Sequence, residues 1–125
     1  MIKGVNDLKK LRQFLKFDFD SFSKEKLFIV TGCREWKDEV KGVLGTKVDA
    51  VIIKDETIYD GTDAKQLNRF EKITFKVTKN VSVPENAYVV PINAKATVWG
   101  DYSDKLSVTC DDIRILQNTK NHVQA

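Results

Sequence analysis

The chain has 125 residues, 42% hydrophobic and 31% charged, which fits one domain of ordinary size and is too apolar for a disordered polymer. Its apolar runs, such as Ala50-Val51-Ile52-Ile53 and Ala87-Tyr88-Val89-Val90, fall far short of the roughly 20 residues that span a bilayer. Residues 1–7 hold no apolar signal core ahead of their charges, so a cytoplasmic protein with no membrane partner is expected. A formal net charge of +3 and a pI of about 8.8 permit a polyanionic partner without demanding one, so the placement of the charges matters more than their sum.

Residues 5–17 are expected to form an amphipathic helix. Val5, Leu8, Leu11 (or Arg12) and Leu15 recur at helical spacing, with Lys9, Lys10, Arg12, Gln13 and Lys16 on the other faces and Asn6 as a cap. Residues 18–24 read as a connector that carries Phe19 and Phe22 inward. From Lys26 onward the apolar period shifts to two. Strands are expected at about 27–36, 47–54, 70–78, 88–90, 94–99 and 105–110. Gly42, Gly45 and Gly61 punctuate the first half, Pro84 and Pro91 bracket an extended stretch, and residues 100–104 read as a hairpin loop. Residues 117–125 form a polar tail. One domain follows: a helix at 5–17, a barrel at about 27–116 and a flexible tail at 117–125. Five or six strands with one short helix fit a small barrel, since sheets of this size must hide their edges.

Alternation in the late strands separates two faces. In Lys95–Trp99 the inward set is Ala96 and Val98, leaving Lys95, Thr97 and Trp99 on the other side. In Lys105–Cys110 the inward set is Leu106, Val108 and Cys110, opposite Lys105, Ser107 and Thr109. A tryptophan is thereby set among lysines and hydroxyls, near Tyr102 in the hairpin loop. In Arg69–Lys79 the inward set is Ile73, Phe75 and Val77, opposite Phe70, Lys72, Thr74 and Lys76. Flat rings beside cations are what unpaired bases and their phosphates require. The first strand ends in Arg34 and Trp36, read on one face with Val30 and Gly32, and Gly32 marks a bend or a close backbone approach. A structural alternative accompanies each assignment. Trp99 covered by the N-terminal helix or a second copy is one, lysines that only protect a sheet edge another, and Trp36 capping the barrel with Arg34 in a salt bridge a third.

Other features carry less. Val48–Ile53 is nearly continuous apolar sequence and is expected to be buried on both faces or covered. Lys37, Lys41 and Lys47 flank a glycine-containing turn diluted by Asp38 and Glu39. Asp55, Glu56, Asp60 and Asp63 lack the spacing of a calcium loop and read as solvated. Cys33 and Cys110 fall inside expected strands and read as reduced, buried thiols. His122 is the only histidine, and no cysteine pair stands at close spacing, so no metal or cofactor is expected. No phosphate loop, nucleophile elbow or zinc-protease motif occurs, and Asp111-Asp112 would point to opposite sides of a strand. No catalytic residue is assigned, and the chain is read as a binder rather than an enzyme.

The layout of residues 27–116 resembles the small OB-fold single-stranded DNA-binding proteins of phages and conjugative plasmids of Gram-positive bacteria. The resemblance rests on the bent first strand with an early aromatic (Val30 to Trp36), the basic third strand (Phe70 to Lys79), and the ending Ala96-Thr97-Val98-Trp99-Gly100 with Leu106 to Ile113. It implies a mainly β fold, a five-stranded OB-like barrel with a short N-terminal α-helix. The chain departs from the fold's usual plan at residues 79–87, too short and too rich in Pro and β-branched residues for the helix that normally links strands three and four. The acidic Gly/Gln-rich tail of bacterial housekeeping single-strand binders is also absent, so recruitment of partners through it is not expected. The resemblance implies a role in mobile-element DNA replication, recombination or transfer.

The expected function is sequence-tolerant binding of single-stranded DNA, with RNA left open. Trp99, Phe70, Trp36 and Tyr102 (or Tyr59) would stack bases, and Lys72, Lys76, Lys95, Lys105, Arg34 and Arg69 would meet phosphates. So modest a charge implies that tight coating of a strand needs a homo-oligomer or cooperativity, and the Leu8/Leu11/Leu15 stripe could serve that contact or dock on its own barrel. The alternatives are a protein–protein adaptor barrel without nucleic-acid binding, and a small enzyme with a non-standard site.

Overall fold

The computed structural model describes residues 4, 6–14, 16–59, 61, 67–102 and 104–116. Alternating apolar and polar residues build seven strands: β1 (Lys26–Asp38), β2 (Gly42–Asp55), β3 (Lys72–Val77), β4 (Tyr88–Ile92), β5 (Lys95–Trp99), β6 (Lys105–Cys110) and β7 (Asp112–Ile115). They form one mainly antiparallel sheet in the order β5-β6-β3-β2-β1-β4-β7, in which only β3 and β6 run parallel. The expected strands all recur, and β7 is additional. Residues 78–87 form a loop, in keeping with their Pro and β-branched content. Only Asn93 and Ala94 separate β4 from β5, and only Asp111 separates β6 from β7.

The amphipathic helix expected at 5–17 is corrected. Among the described residues of that stretch there is a single 3-10 turn, Leu11–Phe14. Lys10 takes a left-handed φ of 60°, and Leu8, Leu11 and Phe14 are exposed. An apolar stripe stabilises so short a helix only where a surface covers it. The helix lies instead in the expected connector, as α1 (Phe19–Ser23), where the Asp18 carboxylate accepts from the Ser21 backbone N–H at 3.1 Å and caps the first turn. Val5 and Leu15, Asp60, Asp63 and the tail at 117–125 lie outside the described residues.

The core forms where α1 meets the inner face of the sheet. Phe28 and Phe75 pack edge to face at 5.3 Å, and Phe19 from α1 packs edge to face on Phe75 at 6.2 Å. Val30, Val48, Val77, Val89, Val108 and Cys110 are also fully buried in the core. The expected inward residues of β3 and β6 lie in or against this core, as does Ala96 of β5. Within Val48–Ile53 only Val48, Ala50 and Ile52 are buried, while Asp49, Val51 and Ile53 are partly covered, so this part of β2 has an inner and an outer face.

At one end of the sheet, Lys26 opens β1 opposite Asp55, which closes β2. Both side chains are completely buried, 3.4 Å apart. Asp55 also accepts from the Tyr59 hydroxyl at 2.6 Å and from the Asn68 backbone N–H at 2.9 Å. Burial alone would raise this carboxyl's pKa, but hydrogen bonds from Tyr59, Asn68 and Thr57 together outweigh it and bring it down to about 2. The network fixes both ends of the β2–β3 connection. Asp55 is thus buried and paired, correcting its reading as part of a solvated acidic loop. Cys110 is buried as expected, but Cys33 is exposed, correcting its reading as a buried thiol.

Candidate nucleic-acid interface

Register decides which outward side chains stand together. Arg34 of β1 lies opposite Lys47 of β2, Lys47 opposite Lys76 of β3, Lys76 beside Thr109 of β6, and Thr109 opposite Lys95 of β5. Four cations and one hydroxyl therefore form a single row across five strands. Strand spacing of about 4.8 Å makes the row roughly 19 Å long.

The outward aim of Arg34 and Trp36 depends on a bulge. The β1–β2 register shifts between Val30 and Gly32. Ahead of the bulge Phe28 and Val30 face the core; beyond it Gly32 lies opposite Asp49 and Arg34 opposite Lys47, both outer-face residues. The one extra residue changes which parity faces outward. This corrects the reading that put Val30 on the face of Arg34 and Trp36. Gly32 does mark the bend.

Two indoles flank the row. Trp36 is half-buried, with the Lys76 ammonium 5.9 Å from its ring centre. Trp99, 53% exposed, lies directly opposite Lys105, whose ammonium is 5.9 Å from its ring. Beside Trp99 runs a shallow cleft of about 530 Å³ lined by Thr74, Lys76, Thr97, Trp99, Leu106, Ser107 and Val108. Lys76 donates to the Ser107 hydroxyl at 3.3 Å, which sets its ammonium over the cleft.

Electrostatics divides the cations. Both oxygens of Asp49 accept from Arg34, at 2.7 and 2.9 Å, and one also accepts from the Thr74 hydroxyl at 2.7 Å. The Arg34 hydrogen bond is the main cause that holds the Asp49 carboxyl below its ordinary range, against the opposing effect of burial. Arg34 is thus largely neutralised. Lys47, Lys72, Lys76 and Lys95 have no carboxylate within 4.0 Å among the described residues, and Lys105 has Asp104 only at that limit.

The structure brings Arg34, Trp36, Lys72, Lys76, Lys95, Trp99 and Lys105 onto one face. Tyr102, 88% exposed, lies in the β5–β6 turn beyond Trp99. Arg69 and Phe70 stand apart, in the turn that leads into β3, with the guanidinium 4.5 Å from the ring centre. Phe70 holds a φ of 73°, rare for a bulky side chain, and its N–H donates to Ile52 at 2.6 Å. Lys47 belongs to the row, and reading the sequence missed it. Its alternation against buried Val48 was the available signal. Comparison with family models, curated proteins and solved structures finds no match to this chain. No helix among the described residues is long and apolar enough to cross a membrane.

Proposed function

We propose that this chain binds single-stranded DNA, with little regard to sequence, across the outer face of β1, β2, β3, β6 and β5. The observation that carries the reading is the centre of the row, where Lys47 and Lys76 stand directly opposite one another without a carboxylate between them. Fold stability disfavours that arrangement, whereas a polyanion laid along it releases counterions and gains affinity. Trp36 and Trp99 supply stacking faces at the two sides of the row. Exposure of Trp99 on a basic surface favours a nucleic acid over an adaptor's apolar partner.

We further read the sheet as a five-stranded OB-like barrel. β4 and β5 are taken as halves of one strand bent at Asn93, whose φ is 54°. β6 and β7 are taken as halves of another, kinked at Asp111. The pairs β4–β7 and β5–β6 then become one antiparallel ladder, and β1 closes the ring through β4. Pairing of β3 with β6 in parallel supports that closure. A role in the replication, recombination or transfer of phage or plasmid DNA rests on the resemblance of layout alone.

The test is anisotropy of a fluorescein-labelled oligo-dT of about 30 nucleotides, long enough for at least one site of this class, at two salt concentrations. Duplex serves as control, and tryptophan quenching is followed alongside. Binding should be salt-sensitive, prefer the single strand, and weaken in Trp99→Ala by about 1–3 kcal/mol, the worth of one stacked base. Absence of binding at micromolar protein in low salt overturns the proposal and leaves the adaptor reading.

A further inference from the structure

We propose that the cleft between β3 and β6 receives one unstacked nucleobase carrying an exocyclic amino group, so that a strand held on the outer face is read at a single position. This rests on the function proposed above. β3 and β6 pair only through Phe75–Val77 and Val108–Cys110. Ahead of those residues, 72–74 and 105–107 run side by side without pairing, and the gap is a cleft of about 680 Å³. Its apolar floor comes from the inner face: Phe22 from α1, Ile52, Ile73 and Leu106. A base that leaves its stack recovers the lost contacts on such a floor.

The rim is rich in acceptors. The Asn68 side-chain N–H group donates to the Tyr59 hydroxyl at 2.8 Å, and the Asn68 backbone N–H donates to Asp55 at 2.9 Å. The amide is therefore fixed by the buried Asp55 network, with its oxygen unbonded among the described residues. The Glu71 carboxylate has no partner there either, and Asp104 reaches only Lys105, at 4.0 Å. Three acceptor groups on one rim match the amino groups of cytosine, adenine or guanine and oppose the O4 of thymine. The carboxylates also repel phosphate, which keeps the strand's backbone outside, near Lys72 and Lys105. The cleft is continuous with the stacking face: Thr74 and Leu106 line both it and the cleft beside Trp99.

Two strands test this with the full chain. One is oligo-dT; in the other, thymines at regular intervals are replaced by 5-methylcytosine, which exchanges the 4-oxo group for a 4-amino group and keeps the methyl. The substituted strand should bind more tightly, on the order of tenfold. That ratio should fall severalfold in Glu71→Ala/Asp104→Ala, both exposed positions, which keeps only the Asn68 oxygen on the rim and whose folding is checked by circular dichroism. Equal binding of the two strands by the unaltered protein overturns the cleft assignment and leaves the surface reading standing. So does a ratio that the double substitution leaves unchanged. Failure to bind either strand overturns both.

Discussion

Salt dependence tests the row most directly, because its magnitude follows from the side chains present. Five lysines on the outer face are available to phosphates: Lys47, Lys72, Lys76, Lys95 and Lys105, the last with only the distant Asp104 at 4.0 Å, while Arg34 is held by Asp49. Single strands give a log–log salt slope of about −0.7 per phosphate neutralised, so the expected slope is roughly −3.5. Between 50 and 200 mM salt that is a loss of about a hundredfold in affinity. The substitution Lys47→Gln/Lys76→Gln removes the centre of the row. The slope should fall to about −2.1 and the loss over the same range to about twentyfold. Lys24→Gln/Lys54→Gln, at exposed positions outside the row, should leave the slope unchanged. Anisotropy titrations of labelled oligo-dT at four or more salt concentrations provide the measurement. A slope unaltered by loss of Lys47 and Lys76 would refute the reasoning, even if the protein binds DNA.

Three further outcomes are expected. Asp49→Asn should release Arg34 and remove a negative charge from the face, steepening the salt slope by about 0.7 and tightening binding at low salt; weaker binding in the same titration would count against it. Asp55 is ionised in the fold down to about pH 2 against an ordinary 3.8, so its contribution is complete above pH 4 or so and disappears as pH falls toward 2, a loss of roughly 2.5 kcal/mol. Urea unfolding across that range should show it, and Asp55→Asn should be weaker at neutral pH, because Lys26 loses its buried counter-charge, yet flatter in acid; an equally steep acid limb in the variant contradicts this. Finally, a thiol reagent should modify Cys33 in the native protein but reach Cys110 only after unfolding, since burial pushes that thiol up to about 11; two fast thiols would mean that β6 is open.

The strands were legible because burial on one face imposes a period of two, and Ile73, Phe75 and Val77 follow it without interruption. The N-terminal segment was misread for the complementary reason. Leu8 and Leu11 satisfy helical spacing, but spacing specifies a helix only where a surface buries the stripe, and both are exposed. The helix that does form has a local signal in Asp18 and Ser21, a capping carboxylate and the N–H that donates to it, too short to show a period. The bulge in β1 was half legible. Gly32 marked a bend, but the change of parity beyond Val30 depends on the register with β2, which belongs to the pair and not to either strand.

The same limit hid the interface. Alternation tells which residues of a strand face outward, but not which neighbours they meet. Arg34 reads as a phosphate ligand until Asp49, fifteen positions along the chain, takes its guanidinium. Lys47 reads as part of a loop patch until register sets it between Arg34 and Lys76. A chain selected for stability alone would place a carboxylate opposite Lys47, as Asp49 in the next row stands beside Thr74 and Arg34. Opposed lysines at the centre of the sheet break that local rule, and breaks of this kind are where a function is to be sought. A bound polyanion would supply the missing counter-charge, so the same row that weakens the free sheet should make the protein harder to unfold in the presence of the single strand.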